Sequence, residues 1–433
     1  MSEPHVTVVG AGLAGAEAAY QLLKRGVRVT LYEMKPHKRT PAHKGDGFAE
    51  LVCSNSLRSD RLENAVGLLK EEMRTLGSLV MQAADATRVP AGGALAVDRE
   101  GFSAYITEAL RAFPNLTVVS GELTSLPEGP AIVATGPLTS DALCEAIERR
   151  FGRSLHFYDA AAPIVTYESL EHDRIFAASR YDRGSDYLNC PMTREEYFAF
   201  HRALVEAETA PLHAFETPRV FEGCMPVEVM AKRGELTLAY GPLKPVGLTY
   251  NGARPFAVVQ LRRDNSDGTL YNIVGFQTNL KFSEQKRVFG MIPGLAHAEY
   301  ARYGVMHRNT FLESPKILNY DFSLKDDPLF CFAGQMTGVE GYIESAASGL
   351  CAAIGLYEKC SGRPTVDFTS ETAIGALGHY VAEYNGGDFQ PMNITFGIMD
   401  PLKERVRSKQ ERGQKLSERA LERVRMRKTE RDL

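Results

Sequence analysis

HVTVVGAGLAGAEAAYQLLKRGVRVTLYE, residues 5–33, decides the fold. The apolar HVTVV reads as a buried parallel strand, AEAAYQLLKRG as a helix closed by Gly26, and VRVTLYE as a second strand ending on an acid, Glu33. Between strand and helix, Gly10, Gly12 and Gly15 form a G-x-G-x-x-G turn with Ala11, Leu13 and Ala14 interleaved. Gly10 permits the tight turn, Gly12 lets a pyrophosphate approach the backbone, and Gly15 allows the helix to pack closely on the strand. The helix N-terminus offers free N–H groups to phosphate, and Glu33 stands where a carboxylate accepts from a ribose hydroxyl. Three spaced glycines alone are a weak signal, compatible with any glycine-rich βαβ turn. Strand, helix and acid in register point to a bound dinucleotide.

The remaining chain reads as additions to that unit. Residues 34–60 have loop chemistry and end in Cys53-Ser54-Asn55-Ser56. Helical spacing follows at 61–77 and 97–113, then the strand LTVVSGEL and the short strand 131–137, which runs into Ala-Thr-Gly. A strand ending this way either returns the chain to the cofactor near Gly136 or is a core strand with a turn. After a helix at 139–151 the composition changes to short β-like runs (APIVTYES, RPFAVVQLRR, LYNIVGFQTNL), read as an inserted, smaller α/β domain. Residues 311–360 return to the pattern of the N-terminal part, with a strand at 329–334, the glycine-punctuated QMTGVEGY, and a small-residue helix. In flavin enzymes such a strand, ending at Gly334, and the helix after Gly341 form a third wall of the site. The usual acid after that glycine is replaced by Gln335, whose amide can still bond a hydroxyl. The expected fold is α/β, a two-dinucleotide-binding-type Rossmann-like FAD domain from 1–150 plus 311–400, with 151–310 inserted. A basic tail, 401–433, reads as an exposed helix frayed toward its end.

The 433 residues carry a net charge of -4, so nothing global announces nucleic acid. The distribution is less even: residues 219–308 hold 12 Lys and Arg against 7 Asp and Glu, and 402–433 hold 12 against 6. Such excess attracts phosphate or simply forms a solvated face. Seven cysteines without a C-x-x-C pair argue against a dithiol reductase and a zinc ribbon, and fit reduced thiols in the cytoplasm. The N-terminus runs straight into a strand, so neither a signal peptide nor a membrane anchor is expected. The histidines show no metal-ligand spacing, and no metal is expected. Cys224, in a turn between Gly223 and Met225-Pro226 with Lys232 and Arg233 following, is either an activated nucleophile or a packed thiol. Cys53, in its Ser/Asn-rich loop, leaves the same two readings open.

Together, GAGLAGAEAA, PAHKGDGFAELVCSNSLRSD, YLNCPMTREEY, FEGCMPVEVMAKRG, YGPLKPVGL, VGFQTNLKFSEQKRVF and FAGQMTGVEGYIESAASG resemble the TrmFO family, the bacterial folate- and FAD-dependent tRNA (uracil-5-)-methyltransferases. The resemblance spans nearly the whole chain, and its two cysteine motifs are more specific than the dinucleotide fingerprint. It implies FAD as cofactor, with 5,10-methylenetetrahydrofolate and NAD(P)H as co-substrates. The target is the T-loop uridine of tRNA, and no obligate protein partner is implied. It assigns Cys224 as the thiolate that adds to carbon-6 of uracil, and Cys53 to proton transfer or handling of the one-carbon unit. The related GidA enzymes, which modify the wobble uridine, share the flavin core but add a C-terminal helical domain for which this chain is too short. A small-molecule flavin oxidoreductase needs neither cysteine loop. An RNA-binding protein with structural FAD would resist reduction by NAD(P)H.

Overall fold

The computed structural model describes residues 4–40, 42–152, 155–181, 184–210, 225–387 and 389–433. Its first sheet is parallel throughout, in the order Phe330–Phe332, Ala131–Val133, His5–Val9, Arg28–Glu33, Leu116–Ser120. His5–Val9 lies at the centre because its residues Val6, Val8 and Val9 are buried between helices on both faces. The chain leaves this strand toward Arg28–Glu33 on one side and later returns on the other through Ala131–Val133. That reversal opens a crevice beyond the strands' carboxyl ends, where doubly wound sheets bind ligands.

Two helices cover the centre of the sheet. Leu13–Leu23 and Tyr342–Cys360 cross so closely that a Cβ on Gly349 would lie 2.1 Å from the Ala14 carbonyl oxygen. Alanines and glycines on both helices make this approach feasible, and nearly all of these residues are buried.

A second sheet of six strands, antiparallel throughout, runs in the order Phe176–Ala177, Tyr187–Met192, Ala257–Arg263, Leu270–Ile273, Ile164–Thr166, Tyr300–Arg302. Its helix Arg194–Glu206 begins with a capping box, Thr193 accepting from the Glu196 N–H while Glu196 reaches back to the Thr193 N–H. The buried core of this part is formed by residues between Val165 and Leu295, and that of the first by residues before Phe151 and after Phe311. The strands Leu155–Ala160 and Met306–Phe311 pair as the chain passes between the two.

Two expectations are corrected. The 34–60 loop ends in a strand, Ser56–Ser59, which joins Ala94–Val97 and Arg88–Val89 in a small antiparallel sheet. The C-terminal helix, Lys409–Arg431, is not an exposed tail. Leu416, Ala420, Leu421 and Val424 are buried, Ser417 Oγ donates to the Leu62 carbonyl, and Lys428 Nζ donates to the Thr75 carbonyl. Its charges disguise a narrow apolar stripe that docks beside the helix Ala65–Thr75. No helix among the described residues is long and apolar enough to cross a membrane.

Candidate active site

The dinucleotide turn has the geometry its glycines demand. Gly10 sits at φ +93°, a conformation that disfavours any side chain, and a Cβ there would meet the Ala134 carbonyl oxygen at 2.7 Å. A Cβ on Gly15 would fall 1.8 Å from the Gly10 carbonyl oxygen, so only glycine lets the helix start this close to the strand. Gly12 differs: it caps the helix Leu13–Leu23, and a Cβ there would meet nothing within 4 Å. The protein leaves that space free beside the helix N-terminus. Gly10, Ala11 and Gly12 line one wall of a cleft, with Glu33, Thr40, His43, Thr135 and Thr139 around it.

Glu33 is buried at the cleft edge. Its carboxylate accepts from the Ala11 N–H at 2.9 Å and from the Lys35 N–H at 3.0 Å, which fixes it against the turn and leaves lone pairs for a ligand hydroxyl. The 34–60 loop folds back over the motif, where the Ala49 N–H donates to the Ala11 carbonyl at 2.8 Å. Burial, reinforced by the charge of Lys35, pushes His43 below the ordinary histidine range, so it is neutral at pH 7.

The stretch expected as a third wall is not among the residues lining this cleft, although Gly334 packs beside the helix Leu13–Leu23 at Ala14. Gly334, at φ +84°, donates its N–H to Ser348 Oγ at 2.7 Å, and a Cβ there would lie 3.2 Å from the Ala14 Cβ. Gln335 Nε2 donates to Glu340 Oε2 at 2.5 Å, so its amide is held by an acid five residues on. Gly341, at φ +109°, precedes the helix Tyr342–Cys360, and Gly136, at φ +73°, follows the Ala131–Val133 strand.

Cys53 lies where the two sheets' territories meet. Its sulfur is 2.9 Å from the Tyr342 hydroxyl oxygen, which also accepts from the N–H groups of Cys53 and Ser54 at 2.8 and 3.2 Å. Burial holds the Tyr342 hydroxyl well above the usual tyrosine range, with Cys53 adding to the shift, so it keeps its proton. Three arginines surround this pair. Arg262, buried in the second sheet, donates to Asn55 Oδ1 at 3.1 Å and Ser54 Oγ at 2.8 Å. Arg99 donates to Asp264 Oδ2 at 2.8 Å and to the Leu51 carbonyl, and Arg302 donates to the Ala42 carbonyl at 2.7 Å. The charge of each acts on Cys53. Arg99 Nη2 and Arg302 Nε are buried donors without an acceptor among the described residues, as expected where a ligand's carbonyl or carboxylate belongs.

Cys224, the other expected cysteine, lies outside the described residues. The helix that follows it, Val227–Lys232, is held by Glu228, which accepts from Thr278 Oγ1 and the Asn279 N–H at 2.8 and 2.7 Å. Reading the sequence missed Tyr342, Arg99, Arg262 and Arg302, although Tyr342 directly follows Gly341 in a motif already singled out.

The glucose inhibited division protein A family model matches residues 5–364. The methylenetetrahydrofolate–tRNA-(uracil-5-)-methyltransferase TrmFO of Listeria monocytogenes serotype 4b is 59% identical, over 97% of this chain and 98% of its own. The TrmFO of Bacillus licheniformis is 59% identical over 97% and 98%. The chain belongs to the TrmFO family. The broader relation is structural: Aquifex aeolicus GidA superposes with a TM-score of 0.71 at 15% identity, over 98% of this chain and 73% of that one. At that identity GidA shares the fold. The TrmFO relatives match at full length, so the Cys53 motif, the dinucleotide turn and the second sheet all lie within the matched region.

Proposed function

We infer that this chain is a methylenetetrahydrofolate–tRNA-(uracil-5-)-methyltransferase, moving a one-carbon unit to carbon-5 of the T-loop uridine to give ribothymidine. The observation that carries the reading is the position of Cys53: a thiol held by Tyr342 among three guanidiniums, beside a dinucleotide cradle.

The cradle fits FAD. Gly10, Ala11, Gly12, Leu13, Ala14 and Gly15 would hold its pyrophosphate, Glu33 its ribose, and Gly136, Gly334, Gln335 and Gly341 the remaining walls. The space left open at Gly12 supports this assignment. When bound, FAD supplies the two-electron reduction that turns a methylene into a methyl group, with NAD(P)H as the source of electrons.

The chain's own residues do the rest. Carbon-5 of uracil is a weak nucleophile until a thiolate adds at carbon-6, and Cys224 takes that role. Cys53, kept in a cationic pocket, handles the carbon-5 proton or the one-carbon unit. Because the uridine is within a folded loop, it is extruded into the site, with the basic excess of 219–308 on the surrounding phosphates. In this reading residues 1–150 and 311–400 carry the flavin, 151–310 face tRNA and nicotinamide nucleotide, and 401–433 brace the flavin part. The enzyme works in the cytoplasm, where its thiols stay reduced.

The test is nucleoside mapping of an unmodified tRNA transcript after incubation with the folate and NADPH. Ribothymidine at the T-loop supports the reading. Modification at the wobble uridine instead would place the chain with GidA chemistry, and flavin turnover indifferent to tRNA would leave only an oxidoreductase.

A further inference from the structure

Away from the cysteine, three aromatic rings form a column on the second sheet's side. Phe282 stacks on Tyr303 with centroids 4.5 Å apart and planes 18° apart, and Tyr303 stacks on Tyr300 at 4.9 Å and 6°. Tyr300 is the inner end, its hydroxyl donating to the Gln285 carbonyl at 3.2 Å. Phe282 is the outer end, the first residue of the helix Phe282–Phe289, and it is 53% exposed. Packing alone gives no reason to leave the last phenyl ring of a parallel stack in water, since hydrated apolar area opposes folding.

The charges beside the column sharpen this. Lys281 is paired with Glu208, and Arg287 with Glu284. Lys286, one turn along from Phe282, holds its ammonium 6.0 Å from the Tyr303 centroid and has no carboxylate partner among the described residues. An exposed ring therefore stands next to a cation with no carboxylate partner among the described residues. Arg302, next to Tyr303 in sequence, is the connection toward the cysteine loop, where it donates to the Ala42 carbonyl.

We propose that Phe282 and Lys286 form a stacking platform for an RNA nucleotide flanking the extruded uridine, with its base on the Phe282 ring and its phosphate on Lys286. The proposal rests on the tRNA-methylation reading above. Stacking tolerates any base, because every base has a π-face, so the platform holds the strand without reading its sequence. It also supplies a new neighbour for a nucleotide that loses its stacking partner when the uridine leaves the loop.

The chain contains no tryptophan, so Phe282→Trp in the holoenzyme installs a single indole reporter. Titration with unmodified tRNA transcript is expected to quench its emission, and 5,10-methylenetetrahydrofolate alone is expected not to. Phe282→Leu, which keeps an apolar side chain, is expected to weaken tRNA binding on the order of ten-fold while the folate KM stays unchanged. Lys286→Gln is expected to reduce the salt dependence of tRNA binding by about one phosphate contact. The platform is overturned if tRNA binds and is methylated while the Trp emission is unchanged. It is equally overturned if Phe282→Leu binds tRNA normally or changes only the folate KM, which would make the ring a folate contact. Those outcomes leave the activity itself standing. Failure of the unsubstituted holoenzyme to bind and methylate tRNA would remove both.

Discussion

The Tyr342 hydroxyl meets Cys53 twice and Ser54 once: it accepts from the Cys53 and Ser54 N–H groups and lies 2.9 Å from the Cys53 sulfur. A phenol oxygen has two lone pairs and one proton. With both lone pairs given to backbone amides, the proton is what remains for the sulfur, so Tyr342 donates and Cys53 accepts. Tyr342→Phe should therefore slow alkylation of Cys53 at neutral pH, read by peptide mapping, and lower methyl transfer. Leaving two half-buried amides unpaired should also cost up to about 1–3 kcal/mol of stability each. An unchanged Cys53 alkylation rate would show that the sulfur does not depend on this bond.

Glu33 offers the same arithmetic on the cofactor side. Its two oxygens accept from Ala11 and Lys35, so an amide in its place must turn an NH₂ toward one of those donors. Glu33→Gln should weaken FAD binding by about 1.5–3 kcal/mol, roughly ten- to a hundred-fold, measured as flavin lost on dialysis. Full retention of flavin would remove Glu33 from the cradle.

Two glycines separate packing from ligand space. Gly349→Ala forces a methyl to within 2.1 Å of the Ala14 carbonyl oxygen and should destabilise the fold by about 1–3 kcal/mol or more. Gly12→Ala meets no protein atom within 4 Å, so it should melt like the parent apoprotein yet bind FAD poorly. Equal flavin affinity in Gly12→Ala and the parent would contradict the placement of the pyrophosphate there.

Glu72 is fully buried and accepts from the Ala373 and Ile374 N–H groups at 2.8 Å each, at the start of the helix Ala373–Glu383. Burial pushes its carboxyl up to about 8 from an ordinary value of 4.5. Between those pH values the folded chain holds a proton that the unfolded chain has released, so the group's contribution to stability is full below about 4.5 and is lost as pH rises through about 8. Glu72→Gln removes this titration. Its melting temperature should gain on the parent steadily from pH 5 toward pH 8, about the window set by those two values. Parallel pH profiles for the two proteins would show that Glu72 is ionised throughout.

The local parts of this structure are legible in the sequence and the long-range ones are not. Strand, glycine turn, helix and Glu33 follow one another within residues 5–33, so spacing alone places them. The pocket around Cys53 is different. Tyr342 is 289 residues away in sequence, and Arg262 is 207 from its partner Asn55. No periodicity connects such positions, and a basic residue in the run RPFAVVQLRR reads locally as a strand end. The docking of the helix Lys409–Arg431 is hidden for a related reason, because its few apolar residues count only once the helix Ala65–Thr75 is there to receive them.

The most direct test of the central claim follows the carbon. The holoenzyme is given NADPH, unmodified tRNA and 5,10-methylenetetrahydrofolate labelled in its methylene carbon, and the digested nucleosides are analysed beside a Cys224→Ala variant that retains FAD. The account predicts label in ribothymidine from the T-loop position with the parent enzyme and none with the variant. Ribothymidine formed without folate label, or equal labelling by the Cys224→Ala variant, would contradict it.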